Sequence, residues 1–106
     1  MEKYLFFNTG SNDSLCLPAR RLTDMGMESD GASLILHFIA AFEGNDGVGE
    51  ITVDLTIADN KGKIVMEAIA EEIRLGKNPF VTIIDDTTGE KVHTDVTSCG
   101  AITDFA

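Results

Sequence analysis

The sequence has little proline and little cysteine, two of each in 106 residues, and few cations: Lys and Arg total 8 against 18 Asp and Glu. Each scarcity narrows the field. With 43% hydrophobic residues and so few prolines, the composition is that of a folded globular chain and not a disordered one. Cys16 and Cys99 lie far apart and form no CxxC pair, so they make no disulfide framework, and reduced, buried thiols are expected. A net charge of −10 repels phosphate backbones at long range, so a nucleic acid would have to be held by a local patch. No apolar run approaches the roughly 18 to 20 residues that cross a bilayer, and the opening MEKYLFFNTGSNDS lacks the features of a signal peptide. The expectation is a soluble, cytoplasmic chain, residues 1–106 forming one domain with no membrane partner.

What is present is mostly strand pattern. ITVDLTI, residues 51–57, alternates as a half-buried strand does, with Ile51, Val53, Leu55 and Ile57 on one side and Thr52, Asp54 and Thr56 on the other. The preceding run from Leu34 to Phe42 is polar only at His37, so both of its faces need cover, and the Gly-rich EGNDGVG between the two predicts an antiparallel hairpin. Tyr4–Phe7 and Phe80–Ile84 are likewise apolar on both faces. Pro18 in LCLPARRL marks an edge strand ending near Leu17, followed by a turn. TDMGMESDGA reads as a polar turn, and KVHTDVT as a strand with Val92 and Val96 inward, followed by a ragged tail. In KIVMEAIAEEIRL the period changes to helical, with Val65, Met66, Ile69 and Ile73 central to an apolar stripe, Asp59 or Asn60 near its start and Gly76 at its end. The helix is expected to be largely covered. About six short strands and one helix predict a mainly β fold, a small, strongly bent antiparallel sheet or open barrel with the helix packed on it. One barrel and one helix leave part of the two-sided apolar surface unhidden, which predicts a homo-oligomer with Ile35, His37, Ile39 and Val81 at its interface.

Catalytic and metal motifs are missing. There is no GxxxxGK[ST], GxSxG, HExxH or paired CxxC, and the glycines at 44, 47 and 49 precede a strand and not a helix. His37, among Ile35, Ile39 and Ala41, reads as a buried or interface histidine. His93, Asp95 and Cys99 share a face, but an extended strand separates His93 from Cys99 by about 20 Å. Asp24, Glu28 and Asp30 echo a calcium loop, yet its sixth and twelfth positions hold Ser29 and Ile35 in place of Gly and Glu. Asn45, Asp46 and Glu50, and Asp85 with Asp86, sit where turns put such residues. No enzyme, metal or cofactor is therefore expected. Arg20 and Arg21 are the one basic cluster and the candidate phosphate contacts, and Tyr4, Phe6 and Phe7 are aromatic enough to stack bases, although core packing suits them better.

The layout YLFFNTGSNDSLCLPARRL, the hairpin around GNDGVG, the helix KIVMEAIAEEIRL and the closing VTIIDDTTGEKVHTDVTS together resemble the short proteins of marine phage and cyanophage origin that are abundant in ocean metagenomes. The resemblance implies an Sm-like fold whose strands join between subunits into a ring, and a nucleic-acid role. It departs from the Sm and LSm pattern where Asp54 is followed by LTIADN, and the nearest approach to their Arg-Gly element, IRLG at 73–76, falls in the helix. The implied function is a non-enzymatic homo-oligomeric ring that binds RNA or single-stranded DNA in an infected cell. The alternative is a virion structural or decoration protein with other virion proteins as partners.

Overall fold

The computed structural model describes residues 3–10, 14–40 and 49–105. The chain is mainly β with one helix, as the patterns predict. The strands are β1 (Tyr4–Asn8), β2 (Ser14–Pro18), β3 (Leu22–Met27), β4 (Ser33–Ala40), β5 (Gly49–Ile57), β6 (Phe80–Asp85), β7 (Glu90–Lys91) and β8 (Val96–Phe105), with helix α1 at Gly62–Leu75. They form two four-stranded sheets, β2-β1-β6-β7 (sheet A) and β3-β4-β5-β8 (sheet B), and the expected barrel is not closed. Nor is all the pairing antiparallel. After α1 the chain returns along β6 parallel to β1, from Tyr4 opposite Phe80 to Asn8 opposite Asp85, with a slip in register between Phe6 and Phe7.

Sheet B is built from local hairpins. β4 and β5 pair antiparallel from Ser33 opposite Thr56 to Ala40 opposite Gly49, as expected of the hairpin. Two segments depart from the expected pattern. Asp24 and Gly26 make β3 look like a turn, but Met25 and Met27 alternate with them and pack on the core. The closing segment, expected as a strand through Val92 with a ragged tail, is divided elsewhere. β7 stops at Lys91, the chain turns through 92–95, and the ten residues of β8 follow along β5. Their alternation is broken because the register with β5 slips beside Asp54, where a Cβ on Gly100 would stand 2.9 Å from the Asp54 carbonyl oxygen. Only glycine lets the two backbones approach so closely there.

The inner faces of both sheets meet in one core. Sheet A contributes Leu5, Phe7, Leu17, Val81 and Ile83, and sheet B contributes Leu34, Leu36, Phe38, Val53 and Leu55. Phe7 of β1 and Phe38 of β4 join the layers edge to face, their centroids 5.9 Å apart. Helix α1 turns Val65 and Ile69 into this core and lies near β3 and β6, with Gly62 against the Met27 thioether. It is less covered than expected: Ile64 and Leu75 are 42% and 61% exposed. Neither Asp59 nor Asn60 caps it, since the position before Gly62 is Lys61 and no side chain bonds the first turn. Pro18 does end β2, at the edge of sheet A, and a 3-10 turn, Ala19–Arg21, follows. Gly89 adopts φ +82°, as its turn requires.

Candidate binding surface on sheet A

The expected site residues are scattered by the sheet registers. Leu5 stands opposite Val81, which places Val81 on the inner face at 5% exposure, so the chain's own core takes it and it is not available to an interface. Ile35, His37 and Ile39 do share the outer face of β4, with Ile35 and His37 half-buried and Ile39 exposed. His37 Nε2 lies 3.8 Å from Asp24 Oδ1 on β3. Arg20 and Arg21 occupy the 3-10 turn at the end of β2, beside β4. Cys16 is exposed and not buried as expected, because on β2 the even positions face outward, whereas Cys99 is buried; neither forms a disulfide.

Composition alone does not show that the outer face of sheet A is aromatic. Along β1 the odd positions Leu5 and Phe7 go inward, leaving Tyr4 and Phe6 outside. The parallel partner sets Phe80 opposite Tyr4 and Thr82 opposite Phe6, and β2 sets Pro18 and Cys16 on the other flank. Tyr4 is 41% and Phe80 48% exposed, and the Phe6 and Phe80 rings lie 5.5 Å apart at 34°. These six residues carry no formal charge on a chain of net charge −10. The Arg20–Arg21 turn continues directly from the Pro18–Tyr4–Phe80 row, and a shallow hollow of about 200 Å³ beside Phe80 includes Lys91 together with Glu72 and Glu90.

The Asp30, Asp85 and Asp86 carboxylates are occupied by the chain's own donors. Asp30 Oδ1 accepts the Ala32 and Ser33 amides at 2.9 and 3.1 Å, and the Ala32 bond foremost holds its carboxyl below the ordinary aspartate value. Asp85 Oδ1 accepts from Asn8 Nδ2 and the Thr87 amide, and Asp86 Oδ2 from the Cys99 amide at 2.9 Å. Among the described residues no three His, Cys, Asp or Glu side chains are grouped to hold a metal. Residues 41–48, including Asn45 and Asp46, lie outside the described residues, as does the Glu50 side chain.

His93 and Asp95 are neighbours, with Nδ1 3.6 Å from Asp95 Oδ2, but Nδ1 accepts the Asp95 amide at 3.1 Å. A nitrogen that accepts there cannot also donate to the carboxylate, so the pair lacks the geometry of a catalytic dyad. Desolvation pushes the Cys16 thiol above its ordinary value, the opposite of an activated nucleophile.

Among the described residues, one buried side-chain polar atom is left over. Asp54 Oδ1 is buried without a hydrogen bond. Desolvation, then the charges of Glu28 and Asp30, push its carboxyl above the ordinary value. A carboxyl raised in the folded state contributes stability below its unfolded value and loses it as pH rises through the folded one. Asp54→Asn is therefore expected to stabilise the chain at neutral pH by about 1 kcal/mol, a figure reduced for the residue's partial exposure, and to match the parent in acid. Thermal unfolding across the acid-to-neutral range checks this: the melting temperatures should diverge as pH rises.

Comparison with known proteins finds no matching family model, no matching curated protein and no matching solved structure.

Proposed function

We propose that this chain is a non-enzymatic homo-oligomeric protein that binds single-stranded nucleic acid, RNA or DNA, on the outer face of sheet A. The reading is supported above all by Tyr4, Phe6 and Phe80 standing outward on the two central strands of a four-stranded sheet. That layout suits stacking of two or three unpaired bases, which is tolerant of sequence because every base has a π face. Arg20 and Arg21, at one end of the aromatic row, are the phosphate contacts of this reading. On so acidic a molecule, stacking supplies most of the affinity and electrostatic attraction only a small share. The Sm-like resemblance adds a ring to the proposal, and the phage resemblance adds an infected cell as its setting.

Fluorescence anisotropy with a labelled oligouridylate at low salt tests it. Saturable binding is expected, weakened roughly 30-fold or more by Tyr4→Ala with Phe80→Ala, since each stacked base is worth about 1 to 3 kcal/mol. Arg20→Ala with Arg21→Ala is expected to weaken binding less and to flatten its dependence on salt. Absence of binding at low salt overturns the reading. The uncharged face then favours the second one, a virion structural or decoration protein docking other virion proteins there, which predicts the chain in purified particles by mass spectrometry.

A further inference from the structure

Sheet A ends at β2, and the hydrogen-bond alternation tells which backbone groups of β2 face outward. Ala19 N donates to Lys3 O at 2.8 Å, which makes Lys3 and Ala19 a bonded pair. Bonded and non-bonded pairs alternate along an antiparallel ladder. Leu5–Leu17 and Phe7–Leu15 are therefore bonded, whereas Tyr4–Pro18, Phe6–Cys16 and Asn8–Ser14 are not. Tyr4 agrees, since its amide donates to Pro79 O on the β6 side at 2.8 Å. Ser14 and Cys16 thus turn their N–H and C=O groups away from β1, to the side of β2 where no described strand lies, and Pro18 adds a carbonyl without a donor.

Open edges are usually blunted by charge or cover. The other three edges have such protection along part of their length. β7 consists of Glu90 and Lys91 alone, β3 carries Asp24 and packs Met27 under α1, and β8 has its Cys99 amide taken by Asp86. β2, SLCLP, has no charged side chain, and Ser14 and Cys16 are exposed.

We propose that β2 pairs antiparallel with β2 of a second copy about a two-fold axis through Cys16, fusing two copies of sheet A into one sheet of eight strands. Cys16 is the middle of the five residues, so this register overlaps the whole strand. Each Cys16 amide then donates to the other's carbonyl, and each Ser14 amide meets the carbonyl of Pro18 across the axis. Both outward donors are satisfied, and the donor that proline lacks is not called upon. Two copies of a −10 chain meet along strands that themselves carry no charged side chain. An isologous contact closes on itself, so its product is a dimer, and a larger ring would need further edges. Residues opposite one another point to the same face, so the Tyr4, Phe6 and Phe80 sets of both copies lie on one side of the joined sheet. This inference rests on the homo-oligomeric part of the proposed function.

Directly opposed residues of a bonded pair stand about 5.5 Å apart at Cα, within disulfide range. Full-length protein treated in air with copper-phenanthroline, dioxygen taking the two electrons and two thiol protons, is expected to give a Cys16–Cys16 dimer on a non-reducing gel. Cys99→Ser should retain the cross-link and Cys16→Ser abolish it. Ser14→Cys in the Cys16→Ser background should not cross-link, because Ser14 faces Pro18. The Ser14 and Cys16 amides should exchange hydrogen at least tenfold more slowly at high than at low protein concentration. Equal cross-linking of the Cys16 and Ser14→Cys proteins, as random collision gives, overturns the proposal. So do an oligomer without the cross-link and unprotected edge amides, but these leave homo-oligomerisation standing. A single 11.4 kDa species by light scattering at micromolar concentration overturns both.

Discussion

Phe38→Ala is expected to lower the free energy of unfolding by about 3 to 5 kcal/mol, a large share of the roughly 5 to 15 kcal/mol typical of a whole domain. The residue is fully buried on β4, opposite Ile51 of β5, and its ring meets Phe7 of β1 edge to face. It therefore ties sheet B to sheet A. Truncation removes both transfer energy and the ring contact, and it leaves a cavity between two layers whose backbones are fixed by their own ladders and cannot collapse inward. Urea unfolding checks this: the midpoint should fall steeply with an unchanged slope. Phe80→Ala is the matching control. It deletes the same ring from a site 48% exposed on the outer face, so its cost should stay below about 1 kcal/mol. An equal loss from both would mean that the two faces of the sheets are wrongly assigned.

The second large effect concerns Lys3, which at 7% exposure is a buried cation. Its ammonium donates to the carbonyl oxygens of Gly76 and Asn78, in the extended segment just past the C-terminal end of α1, near the partial negative charge that the helix concentrates there. Lys3→Met keeps the apolar stem and removes only the donor. Two charge-assisted bonds are lost at a site closed to water, so a cost of about 2 to 3 kcal/mol is expected, discounted for non-additivity. For a domain of this size that lowers the melting temperature by roughly 10 to 20 °C. An unchanged melting temperature would show that water satisfies these carbonyls equally well.

Local pattern made some elements legible. α1 follows from the spacing of Val65, Ile69 and Ile73, β5 from strict alternation, and the end of β2 from Pro18. What escaped depends on partners distant in sequence. Tyr4 and Phe80 look like core residues by type, and only their parallel register, set by the return of the chain after α1, turns both outward. The same register sends Val81 inward and cancels its expected place at an interface. Between Phe6 and Phe7 it slips, so Ile83 and Ile84 are both buried, and of the apolar residues of FVTII Phe80 alone stays exposed. Lys3 is just as opaque: nothing near it in sequence announces that a helix end more than seventy residues away needs its donor. Of the expected surfaces, the outer face of β4 retains Ile35, His37 and Ile39 together, and the Arg20–Arg21 turn stands at the rim of the aromatic face.

The placement of β1 also orders events in time. Its central position in sheet A requires β6, which leaves the ribosome only after the hairpins of β3, β4 and β5 and the whole of α1. Those hairpins close over short loops and form fast, whereas docking β1 on β6 closes a loop that runs from Tyr4 to Phe80 and comes late. Until then YLFF lacks the partner strand that shelters it, and such an unpaired apolar stretch is one a chaperone would hold.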